Sequence, residues 1–196
     1  MGDRMSSLAV SFLEGLAPDK TIRVPKEHSI IQTEVPIQAK YVRTDVLKII
    51  SSLHYGNGTG IEELSLHITP KKSNSLLFMT WMINCEVHHD DVFLIHQDGK
   101  LINLAGYEGF SSVLGNVPYS GITSSPYDAD QASTMINVFM QYAIPAITTL
   151  PRRYTPAVRS AGTVTTYAFA LNRCLSTMAS WNETAISTGV IMEIPQ

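Results

Sequence analysis

Four consecutive residues, His88-His89-Asp90-Asp91, set two imidazoles beside two carboxylates. Such a group can ligate a divalent metal, but side chains alternate between faces along an extended strand, so at most every second one converges. A turn would gather more of them. Zinc sites draw ligands from separate stretches, and His54, His67 and His96 follow no recognisable ligand spacing. The expectation is therefore a solvated hairpin tip between two apolar strands, with no metal and no other cofactor. Signatures of catalysis are also missing: there is no G-x-S-x-G elbow, no H-E-x-x-H helix and no phosphate-binding glycine loop. Gly56-Asn57-Gly58-Thr59-Gly60 has the glycines but leads into a strand, so it brings no helix dipole to a phosphate. Glu62, Glu63 and Asp98 could serve a glycosidase, yet no spacing rule singles them out. A non-enzyme is expected.

A stretch rich in Gly, Ser, Pro and Tyr, residues 105–134, carries a different chemistry. It presents Tyr107, Phe110, Tyr119 and Tyr127, with Asp128 and Asp130 close behind. Aromatic faces stack on sugar rings, carboxylates accept hydrogen bonds from hydroxyls, and Tyr mixed with Ser, Gly and Asn makes an adaptable recognition surface. Tyr107, Tyr119, Tyr127, Asp128 and Asp130 are thus the candidate receptor-binding residues, with a host-surface glycan as ligand. The competing expectation is that these tyrosines pack the loop against its own sheet or a neighbouring subunit. Loops of about 30 residues are rare unless they carry function or hide a strand. The 14 Lys and Arg are dispersed among 17 acidic residues for a net charge of −3, and only Arg152-Arg153 cluster, beside Tyr154. That pattern excludes a nucleic-acid footprint.

The elements that must position these residues follow from composition and periodicity. A chain of 196 residues accommodates one domain and an appendage. Its charged fraction is 16%, against roughly 25% in soluble domains. So low a value predicts that other subunits cover part of the surface; a compact monomer with a Ser/Thr/Asn exterior is the alternative. Cys85 and Cys174 are expected as free thiols, because nothing marks the chain for export. The N-terminus has one cation, Arg4, before an apolar stretch interrupted by Ser11 and Glu14, so no signal peptide is expected. No run reaches the roughly 18–20 apolar residues of a membrane span, so no membrane partner is expected.

Residues 1–28 stand apart. Met5, Leu8, Phe12 and Leu16 recur at three- and four-residue spacings with Leu13 beside them, which predicts a short amphipathic helix stopped by Gly15 and Pro18. An extended tether follows. So short a helix is marginal alone and needs a surface. It either docks on another protein through Met5, Leu8, Phe12, Leu13 and Leu16 or packs under its own domain.

From residue 29 to 196 the pattern is β. Ile30–Gln38 and Tyr41–Ser51 are candidate strands, and Leu64, Leu66 and Ile68 alternate up to Pro70. Leu76–Ile83 is apolar on both faces, which predicts burial on both, in the middle of a sandwich or in a sheet covered by a partner subunit. Asn84–Asp91 reads as a polar turn into Val92–Ile95, and Asp98-Gly99 as a tight hairpin into Lys100–Leu104. Ile136–Ile144 alternates, Tyr154–Ser160 and Thr163–Asn172 suggest a hairpin about Ala161-Gly162, and Ile186, Thr188, Val190, Met192 and Ile194 close the chain at period two. About nine strands with regular turns predict an all-β, antiparallel, jelly-roll-like β-sandwich.

The text of the chain also resembles a module of tailed-bacteriophage fibre proteins. SIIQT at Ser29–Thr33, LSLHITPKKSNSLLFM at Leu64–Met79 and Met192-Glu193-Ile194 match its opening, central and closing signatures in order. Asp91–Gly99, YSGITSSPYD at Tyr119–Asp128, and YTPAVRS through LNR from Tyr154 to Arg173 resemble its interior. The chain departs from the pattern at Leu76-Leu77, where Lys-Ile is usual, and in its histidine-rich 88–91 stretch. The resemblance implies a non-enzymatic virion protein made in the host bacterial cytoplasm, a homotrimer of sandwich heads. With 28 residues before the module and no stalk, residues 1–28 would grip another virion protein, of capsid or tail. Two roles then stand open: a short fibre head for host attachment, or a decoration protein cementing the capsid shell. A stand-alone carbohydrate-binding module is the alternative outside the virion.

Overall fold

The computed structural model describes residues 36–53, 57–87, 91–102, 121–125, 134–160, 168–176 and 183–196. All belong to one unit, Glu34–Gln196. The helix and tether expected over residues 1–28 lie outside them. The strands run β1 (Gln38–Thr44), β2 (Lys48–Ile50), β3 (Thr59–Gly60), β4 (Leu66–Ile68), β5 (Leu76–Val87), β6 (Asp91–Gln97), β7 (Lys100–Leu101), β8 (Thr123–Ser124), β9 (Ile136–Pro145), β10 (Arg152–Ser160), β11 (Phe169–Leu171) and β12 (Ser187–Ile194). A single 3-10 turn, Glu62–Leu64, is the helical element among the described residues, and no helix there is long and apolar enough to cross a membrane.

All pairings are antiparallel and form two six-stranded sheets. In the first, β5 is the axis: β12 and then β1 lie along one side, β11 and β2 continue that side further along, and β9 lies along the other. In the second, β10 pairs with β6 on one side and with β3 and β4 on the other. The sheets share one core. Leu77, Met79, Trp81 and Ile83 of β5 pack in the same cluster as Leu66, Phe93, Ile95 and Val158 of the second sheet. The Phe93 and Phe169 rings meet edge to face across it, 6.3 Å between centroids.

Local chemistry explains several departures from expectation. The first break in β structure falls at 45–47 and not before Tyr41, because the Thr44 hydroxyl accepts a bond from the Val46 N–H and turns the chain. The supposed polar turn Asn84–Val87 belongs to β5, with Cys85, Glu86 and Val87 buried. β5 and β6 lie in different sheets, so residues 88–90 join two sheets and do not cap a hairpin. Likewise β10 and β11 belong to opposite sheets and do not form the expected hairpin. Asp98-Gly99 does make a hairpin turn, at φ 53° and 81°. Pro156 sits in the middle of β10, where a missing N–H normally breaks a ladder. Its carbonyl accepts from the Ile61 N–H on the side where β3 has ended and β4 has not begun, so the missing donor faces a gap. Cys85 and Cys174 are buried free thiols, and burial pushes the thiol pKa up in both.

The closing strand holds the main surprise. Its apolar set, Val190, Met192 and Ile194, points outward, while Ser187, Gly189, Ile191 and Glu193 face the core. Gly189 lies opposite Trp81, whose indole crosses it and donates to the Leu64 carbonyl at 3.0 Å. A Cβ there would stand 2.5 Å from the indole Cδ1. Gly189→Ala is expected to push the indole off its bond and destabilise the fold by about 1–3 kcal/mol, the range for overpacking, read as a lower urea midpoint with unchanged slope.

Candidate functional site: a basic groove beside an apolar sheet face

The loop candidates Tyr107, Tyr119, Tyr127, Asp128 and Asp130 lie outside the described residues, as do Met5, Leu8, Phe12, Leu13 and Leu16, and His88, His89 and Asp90. Asp91 is described and is not at a solvated tip: it begins β6 buried, with its N–H donating to the Ser125 hydroxyl at 2.8 Å. His96 is buried with its Nε2 2.7 Å from the Asn57 carbonyl, and His67 is exposed on β4. Among the described residues no three His, Cys, Asp or Glu gather as a metal site.

What the structure assembles instead starts at Glu193. Its carboxylate is fully buried and accepts from the Lys71 N–H at 2.8 Å, the Lys72 N–H at 2.9 Å, the Ser75 hydroxyl at 2.7 Å and the Gln38 amide at 2.7 Å. Burial alone would raise its pKa, but these four donors outweigh it and hold the carboxyl below its ordinary value. The turn Lys71–Ser75 is thereby tied to Gln38 of edge strand β1 and to Glu193 of its neighbour β12.

A groove of about 450 Å³ opens beside this knot, between β1, β4 and the start of β10. Lys40, His67, Lys71, Arg152 and Arg153 line it, with Asp98 as its one carboxylate. Strand parity sets the stage. Lys40 pairs with Ile191 on the inward side of edge strand β1, so its stem lies at the mouth between the sheets. The arginines are fixed by acids. Arg152 donates to Asp98 at 2.8 Å, the Arg153 N–H donates to Asp98 at 2.9 Å, and the Arg153 guanidinium donates to Glu62 at 2.9 Å. The Arg153 N–H bond, with the Arg152 guanidinium, holds Asp98 below the usual carboxylate range despite some desolvation. Lys40 and Lys71 differ: among the described residues neither ammonium has a carboxylate partner. A second cavity of about 660 Å³ shares the Asp98 and Arg152 walls and has an aliphatic floor that includes Leu77, Leu101 and Ile144. Of the groove's cations the sequence marks only the Arg152-Arg153 pair; Lys40 comes from β1 and Lys71 from the turn after β4, and nothing in their spacing joins them.

The outer face of the first sheet is the other feature. In register across β1, β12, β5 and β9 stand Tyr41, Val190, Thr80 and Gln141; then Ala39, Met192, Phe78 and Ala143; and Thr188, Met82 and Phe139 beside Arg43. Tyr41 is 63% exposed, Phe139 58% and Met82 39%. The expected burial of β5 on both faces thus holds for one face only.

Comparison with known proteins is sparse. No protein-family model matches the chain, and no curated protein matches it. Among solved structures, dimeric latent PorU from Porphyromonas gingivalis is similar at 10% identity, with a TM-score of 0.26 over 84% of this chain. The match spans 14% of the PorU chain.

Proposed function

We propose that this chain is a non-enzymatic structural protein of a tailed-phage particle: a trimeric, jelly-roll-like surface knob, held on the particle by residues 1–28 and serving as a short fibre head for host attachment. The observation that carries the reading is the outer face of the β1–β12–β5–β9 sheet, where Val190 and Met192 of β12 point away from the core and Tyr41, Phe78, Met82 and Phe139 stand on the same face. Contiguous apolar surface of this kind marks an interaction site, and copies of the same chain are its occupant in this reading. Arg43 is the one charged residue in the rows named above, so little opposes contact between copies.

Two of the segments that carry the resemblance meet at Glu193. The Met192-Glu193-Ile194 signature and the Pro70–Ser75 turn of the LSLHITPKKSNSLLFM signature are far apart in sequence, and one buried carboxylate joins them.

Deleting residues 1–28 is expected to leave a folded trimeric head that no longer enters particles, as checked by sedimenting particles and probing them for the chain. Continued incorporation of the truncated chain contradicts the anchoring role. Imaging of labelled particles separates the two virion roles: a fibre head gives few copies at the tail or vertices, a capsid decoration protein many copies at lattice points.

A further inference from the structure

Resting on that reading of an attachment head, we propose that the groove between β1, β4 and the start of β10 binds an acidic polysaccharide, with Lys40 and Lys71 meeting its carboxylate, sulfate or phosphate groups. Among the described residues four cations and His67 line the groove; Asp98 lines it too, Glu62 pairs with Arg153 and Glu193 lies against Lys71 and Gln38, which leaves an excess of one positive charge on a chain whose net charge is −3. Positive charge is therefore concentrated where it can steer an anion, not spread over the surface. The cations fall into two kinds. Arg152 and Arg153 are held in place by Asp98 and Glu62 and shape the wall. Lys40 and Lys71 keep their ammonium groups uncommitted among the described residues, so they can pair with a ligand without breaking a bond of the fold.

The neighbouring cavity decides the class of anion. It shares the Asp98–Arg152 wall, and Leu101, Ile144 and Ile147 along its lining offer aliphatic contact to the C–H faces of sugar rings. Volumes of about 450 and 660 Å³ fall within the span of small-ligand sites, and together they accommodate several linked rings. Nucleic acid fits less well. Base recognition on single strands uses aromatic platforms, and among the described residues the one Phe, Tyr or Trp lining either cavity, Tyr154, is buried in β10.

Titration calorimetry on the full-length protein tests this with three probes: oligogalacturonate, neutral dextran and a single-stranded oligonucleotide. Saturable, salt-sensitive binding of oligogalacturonate is expected, without binding of dextran. The double variant Lys40→Glu/Lys71→Glu, altered at two exposed positions, is expected to weaken that binding roughly tenfold or more, since lost attraction becomes repulsion. No oligogalacturonate binding, equal binding of dextran, tighter binding of the oligonucleotide, or an unaffected variant overturns the proposal. The mass of the same samples by light scattering separates the two readings. A trimer with an inert groove removes the groove proposal alone, whereas a monomer that binds through Lys40 and Lys71 removes the knob reading alone.

Discussion

Glu193→Ala is expected to lower the unfolding free energy by about 2–6 kcal/mol, the cost of leaving two N–H donors without an acceptor at about 1–3 kcal/mol each. Four donors converge on that carboxylate: the Lys71 and Lys72 N–H groups, the Ser75 hydroxyl and the Gln38 amide. Without it the Gln38 amide still has the Thr69 carbonyl and the Ser75 hydroxyl the Lys72 carbonyl, but the Lys71 and Lys72 N–H groups lose their acceptor, and an unsatisfied buried donor costs about 1–3 kcal/mol before any rearrangement. Glu193→Gln keeps one oxygen and should cost less than the alanine variant. The pH dependence has a definite sign. The folded-state pKa of Glu193 lies below the ordinary carboxyl value of 4.5, so its contribution is fully present above that value and is lost as pH falls through the folded pKa. Urea titrations should therefore show the gap between the wild type and Glu193→Gln at pH 7, narrowing as the pH drops below about 4.5. A gap that stays constant to pH 3 would place the stabilisation outside the carboxylate's charge.

The second large effect concerns assembly. Met82→Asp combined with Phe139→Asp puts two carboxylates side by side on the outer face, where these residues pair directly in register. In a single chain both side chains are substantially exposed, at 39% and 58%, so the fold should lose little, within about 1 kcal/mol apart from mutual repulsion. Between copies the same carboxylates would be buried without partners, a cost of several kcal/mol at each contact. The expected result is a folded single chain with near-wild-type circular dichroism and a lost higher-mass species. An oligomer that survives both substitutions rules out this face as the contact.

Much of the architecture could be read from the sequence because strand signals are local. The alternation through Ile136–Ile144, the Asp98-Gly99 turn and the apolar run from Leu76 each specify an element without reference to the rest of the chain. Pairing is not local. β5 and β6 look like hairpin partners, as do β10 and β11, yet each pair is divided between sheets, because the long-range register of Trp81 on Gly189 and of Tyr154 on Leu66 outweighs proximity in the chain. The direction of β12 was illegible for a related reason. Periodicity alone sends Val190, Met192 and Ile194 inward, whereas the indole over Gly189 and the donors around Glu193 fix the opposite parity. The groove was hidden because its cations come from three separate segments, and only the adjacent Arg152-Arg153 left a mark in the sequence.

Light scattering on the full-length chain, coupled to size exclusion at micromolar concentration, bears most directly on the proposed burial of the outer sheet face between copies. A trimeric head gives a mass three times the 21.6 kDa of one chain, falling to one chain's mass when Met82 and Phe139 are both replaced by Asp. A wild-type mass of 21.6 kDa that does not change with concentration contradicts it.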